Sequence, residues 1–189
     1  MSKAIGDPSV QSSGPRPAEP GDPLDPHLPV AVLLVGGQDD LGLQPIRIFS
    51  QSQSGRFRQM LLVSIGVMDY AVIDAGVDRE RGFEGSEEAR RLHERTRSSL
   101  EPLIGAARAL GIRTDWRISI ATDPVPEIDA LATEIAARFP KAVFFVSKLV
   151  FEKPRWYQRL LFGRRSDEIL KRLERRGIPV SILPILVPR

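Results

Sequence analysis

The stretch KAVFFVSKLVFEKPRWYQRLL, Lys141 to Leu161, decides how the chain folds. Its first half, Ala142 to Val146, is a short apolar run bounded by charge, which reads as a strand buried on both faces of a parallel sheet. From Ser147 onward the chain turns basic and aromatic. Lys148, Lys153, Arg155 and Arg159 alternate with Phe151, Trp156 and Tyr157, and this half is expected to leave the sheet. Open α/β sheets take their ligands outside the carboxyl ends of central strands. The segment therefore stands where such a fold meets a ligand.

Working outward, four more strands of the same kind or simpler are found. Val30–Val35 and Gln59–Ile65 are continuous apolar runs, Arg113–Ala121 alternates, and Val180–Val187 closes the chain. Pro184 cannot donate to a ladder, so the last strand belongs on an edge or at a bulge. Between the strands lie helical patterns. One begins near Leu43 and Pro45, with Ile46 and Phe49 on one face. A long one starts at Ser86, with Glu87 and Glu88 in its first turn, and stops at Gly111. A third is capped by Asp123, with Pro124 at its first position and Val125, Ile128, Leu131, Ala132, Ile135 and Phe139 as its buried stripe. The last spans Tyr157 to Arg176, with a break expected near Gly163, and Gly177 and Pro179 end it. Gly66 to Gly85 reads as a long irregular loop. The alternation predicts a five-stranded parallel sheet in the order 3-2-1-4-5, with helices on both faces and the reversal of order between the first and fourth strands.

Residues 1–29 differ in kind. Prolines at 8, 15, 17, 20, 23, 26 and 29, with Gly, Ser and Asp between them, leave too little apolar surface to offset chain entropy. They read as a disordered leader or spacer ahead of an α/β domain over 30–189.

Composition removes several classes of activity. With no Cys, disulfides and thiolate sites have no material, and with only His27 and His93, in unrelated contexts, a His-based zinc site or a Ser-His-Asp triad is not expected. A net charge of +3 does not argue for nucleic acid, and no such partner is expected. No run approaches the roughly 18 apolar residues of a spanning helix. A cytoplasmic location is expected, at the inner face of the membrane if a membrane partner is engaged.

The candidate chemistry sits at strand ends. Gly36 and Gly37 can bring main-chain amides against an anion, and Asp39 or Asp40 can meet a ribose or a magnesium ion. The competing reading is a tight turn that uses glycine for positive φ and aspartate as a cap. The basic residues after Val146 offer guanidinium and ammonium donors to phosphate, to anionic lipid heads or to an acidic partner surface. The competing reading is a solvated helix face. Asp69, Asp74, Asp78, Glu80 and Glu84 fit no metal-loop spacing and read as solvated charge. The candidate nucleotide or anion site is Gly36, Gly37, Asp39, Ser64, Lys148 and Arg155. No catalytic residue and no metal ligand is assigned.

The order of elements over Val30–Pro188 resembles the universal stress protein fold, the adenine-nucleotide-binding α/β class. In addition, GGQDDLGL (Gly36–Leu43), FFVSKLVFE (Phe144–Glu152) and WYQRLLFGRRSDEILKRLERRGIP (Trp156–Pro179) are similar to the cytosolic tails of bacterial amino-acid/polyamine/organocation permeases, to which cation-chloride cotransporter tails are related. In those tails a phenylalanine-rich strand leads into a Lys-Leu-aromatic turn and then a helix. ATP-binding stress proteins carry a glycine-rich loop after the fourth strand, whose small residues let amides reach phosphate. Here that place holds Ser147-Lys148-Leu149-Val150-Phe151, bulky rather than glycine-rich.

The permease resemblance implies a non-catalytic regulatory or assembly domain of a membrane transporter, joined in the same chain or docked to it, with no required cofactor. A homodimer through the final strand or last helix and contact with an anionic lipid surface are further expectations. The alternative is a sensor for an adenine nucleotide such as ATP, or for a cyclic dinucleotide. An ATP-using enzyme is the third reading, disfavoured by the missing glycine motif.

Overall fold

The fourth strand is longer than its apolar run. In the computed structural model, which describes residues 23–36, 42–53, 55–68, 86–151 and 164–187, β4 covers Ala142–Phe151. Lys148 to Phe151 are strand, against the expectation of a turn. The reason is a partner: β5 (Val180–Val187) runs beside β4 from Phe144↔Val180 to Phe151↔Val187, and pairing holds the bulky residues extended.

The other strands are β1 (Val30–Gly36), β2 (Gln59–Val67) and β3 (Arg113–Ala121). All pairings are parallel and the order is β3-β2-β1-β4-β5, as the alternation predicts. The helices described are α1 (Gln44–Ser52), α2 (Glu87–Ala109), α3 (Pro124–Arg138) and α4 (Arg164–Arg175). Local chemistry accounts for the starts of α2 and α3. Ser86 accepts from the Ala89 N–H at 3.1 Å, and Asp123 accepts from the Val125 N–H at 3.0 Å. Gly111 (φ +74°) and Gly177 (φ +71°) supply the left-handed residues just after α2 and α4. Residues 69–85 and 152–163 lie outside the described residues. Gly66 and Val67 still belong to β2, so the strand runs past the point where the irregular loop was expected to start. The helix expected from Tyr157 is described from Arg164.

Alternation along the strands makes two cores. On one face Val30, Val32, Leu34, Val63 and Phe144 pack under α3 and α4, through Leu131, Ile135, Leu170 and Leu173. On the other, Ala31, Leu33, Met60, Leu62 and Phe145 pack under α1 and α2, through Phe49, Leu100 and Leu103. Phe49, Phe57 and Phe145 meet edge-on or tilted, with ring centroids 5.1 to 5.9 Å apart. The described chain begins at Pro23, ahead of the boundary read at Val30. Leu24 is buried, and Gln59 clamps the backbone of Asp25 from both sides: it accepts from the Asp25 N–H at 2.9 Å and donates to the Asp25 carbonyl at 2.6 Å.

Candidate functional site at the split between β1 and β4

β1 and β4 pair only from Val30↔Ala142 to Leu34↔Val146. Beyond that line β1 stays with β2, as far as Gly36↔Ile65, and β4 stays with β5, as far as Phe151↔Val187. The sheet therefore parts at its carboxyl end, at the reversal of strand order. This is the crevice where doubly wound sheets receive ligands.

One row of residues crosses the mouth of this split. Val35 is in register with Ser64 of β2. The next residue after the Leu34↔Val146 pair puts Ser147 of β4 in the same row. Alternation places all three on the α1/α2 side of the sheet, because Leu33, Leu62 and Phe145, two residues back, belong to that core. Strand spacing puts Ser64 and Ser147 roughly 10 Å apart, with Val35 between them. Both hydroxyls are buried, and neither Ser64 Oγ nor Ser147 Oγ has a hydrogen-bond partner among the described residues. Hydroxyls kept from water are almost always paired, and an unpaired one costs about 1–3 kcal/mol. Two such groups in one row, at the parting of the sheet, are the most distinctive polar feature of this edge.

Of the sequence-derived residues, Gly36 ends β1, is exposed, and sits one register step past Ser64. Ser64 is 1% exposed. Lys148 is a β4 residue in register with Pro184, next to Ser147. Gly37, Asp39 and Arg155 lie outside the described residues. The structure thus brings Gly36, Ser64 and the backbone of Lys148 to one end of neighbouring strands. Ser147 was not among the site residues read from the sequence. Its signal is a Val-Ser step closing an apolar run, Val146-Ser147, which repeats Val63-Ser64.

The chemistry on offer is hydrogen bonding. Each hydroxyl can donate once and accept twice. Beyond Val146, as far as Phe151, the backbone of β4 is a paired strand rather than a glycine-rich loop, so that stretch does not present the bare amides of a phosphate cradle. Among the described residues no three His, Cys, Asp or Glu side chains are grouped to hold a metal ion, and no helix is long and apolar enough to cross a membrane.

No protein-family profile matches the chain, and no curated protein matches it. Solved structures do. The universal stress protein from Archaeoglobus fulgidus superposes with a TM-score of 0.51 at 12% identity, over 83% of this chain and 94% of that one. The same organism's universal stress protein in complex with dAMP gives 0.49 at 11% identity, over 83% and 98%. A universal stress protein in complex with cAMP gives 0.34 at 16% identity, over 84% and 98%. Identity this low speaks only to architecture: the described chain has the universal stress protein fold.

Proposed function

We propose that this chain is a non-catalytic regulatory module that senses a small ligand, an adenine nucleotide or a cyclic dinucleotide, at the split between β1 and β4. The observation that carries the reading is the row Ser64–Val35–Ser147, with two buried hydroxyls lacking partners among the described residues, at the reversal of strand order. Hydroxyls there meet the polar edge of a base or the oxygens of a ribose, and Gly36 leaves room for close approach of the ligand to the main chain. Because β4 continues as strand through Phe151, phosphates are not expected to be wrapped by backbone amides, which favours binding without turnover.

Calorimetry on the full chain with ATP, AMP and cyclic di-AMP tests this. Saturable heat from one of them, lost in Ser64→Ala/Ser147→Ala, is the expected result. Absence of heat at millimolar concentrations of all three removes the sensor reading.

A second reading concerns the partner. Of the three segments similar to permease tails, the described parts of two belong to β4 and α4. The likeness of sequence alone favours a module that is joined or docked to a membrane transporter and regulates it. Co-purification with such a transporter from its own cells is the expected result. A chain that passes through that purification alone speaks against it.

A further inference from the structure

A second polar feature lies on the outside of the α3/α4 layer, away from the split. Arg172, Arg175 and Arg176, from the last turn of α4 and the residue after it, line a depression of about 370 Å³ with Asp129 of α3. Three guanidinium groups thus face one carboxylate. Asp129 is taken by Arg176 alone, in a two-pronged contact of 2.6 Å from Nε and 2.7 Å from Nη2. Arg172 gives Nη2 to Glu168 at 2.9 Å, but its Nε is buried and has no acceptor among the described residues. Arg175 gives Nε to the Lys171 carbonyl at 3.1 Å, which leaves its two Nη nitrogens without an acceptor among the described residues.

Basic residues at a helix C-terminus are favourable for the helix dipole, and one bond to a terminal carbonyl fits that role. It does not account for a buried guanidinium N–H left unpaired, which is costly in the same way as the serine hydroxyls. An oxyanion entering the depression would satisfy it. Phosphate oxygens match the forked donors of arginine as a carboxylate does, and one phosphate has enough oxygens to meet more than one fork.

We infer that Arg172, Arg175 and Arg176 form a phosphoryl-anion site on the outer face of α4, distinct from the split between β1 and β4, with Asp129 holding Arg176 in place until the anion competes for it. The ligand is a phosphate group, carried either by a free phosphate compound or by an anionic lipid headgroup.

The test uses the full chain, inorganic pyrophosphate as probe, and phosphatidylglycerol against phosphatidylcholine vesicles. In calorimetry at constant ionic strength the wild type is expected to bind pyrophosphate saturably. Arg172→Gln/Arg175→Gln is expected to weaken that binding about tenfold or more, as for loss of charge-assisted bonds. Asp129→Asn, which releases Arg176, is expected to strengthen it. Ser64→Ala/Ser147→Ala is expected to leave it unchanged, which separates this site from the sensor reading. Vesicle binding that needs phosphatidylglycerol and falls in the double arginine variant also supports the site and identifies the lipid as the source. Thermal melts confirm that each variant is folded. Pyrophosphate and vesicle binding that are both absent, or that the arginine substitutions leave unchanged, overturns the inference.

Discussion

Ser64 shows how a single side chain can set stability against function. Its hydroxyl is buried and has no hydrogen-bond partner among the described residues. Removing it costs no contact and relieves a stranded polar atom. Ser64→Ala is therefore expected to stabilise the ligand-free protein by about 1 kcal/mol in urea unfolding, while weakening ligand binding. A destabilised Ser64→Ala protein would mean that the hydroxyl has a partner after all. Asp129 works in the opposite sense. The hydrogen bond and charge of Arg176, with smaller help from Arg172 and Arg175, hold its carboxyl below the usual carboxylate range. A depressed folded-state value stabilises above the unfolded value and is lost as pH falls through the folded one. The thermal midpoint of Asp129→Asn should thus lie slightly below wild type at neutral pH. That gap should close in acid, as pH falls through the depressed folded-state value. A gap that stays constant with pH would remove the ion pair from the account. The role of Asp129 is not legible from sequence alone, because Asp129 and Arg176 stand 47 positions apart.

At the scale of the element, the two sheet edges are protected differently. Arg113 donates to the Arg58 carbonyl, so odd-numbered β3 residues face β2, and Thr114, Trp116, Ile118 and Ile120 turn their peptide groups outward. Asp115 accepts the outward Trp116 N–H at 2.8 Å, and Arg108 reaches the Thr114 carbonyl at 3.4 Å. At the other edge, Phe144 donates to the Pro179 carbonyl, which places Pro184 among the outward residues of β5, where a missing N–H takes nothing from the ladder. Both devices blunt edge-to-edge association. Asp115→Ala should therefore favour concentration-dependent association in sedimentation velocity, and an unchanged profile would show that Asp115 does not guard the edge. In the core, Phe145 touches both Phe49 and Phe57. Phe145→Ala should cost about 3–5 kcal/mol by denaturant titration, and a loss under 1 kcal/mol would contradict the packing described.

For the whole molecule, the sheet order was legible because the strands are apolar runs, or alternate as β3 does, and the crossovers carry helical stripes. Those two periodicities leave few topologies. The end of β4 was not legible. Lys148 to Phe151 carry loop-like charge and bulk, and only the neighbouring β5 decides that they are extended. The site was legible in part. Gly36 and Ser64 follow from their places at strand ends. Ser147 needed the register, which puts it level with Val35. The claim at the centre is that a small ligand enters where β1 and β4 part. Amide chemical-shift mapping of the full chain with AMP, ATP and cyclic di-AMP tests it most directly. The account predicts saturable shifts concentrated at Gly36, Ser64, Ser147 and Lys148. Shifts confined to other surfaces, or none with any of the three, would contradict it.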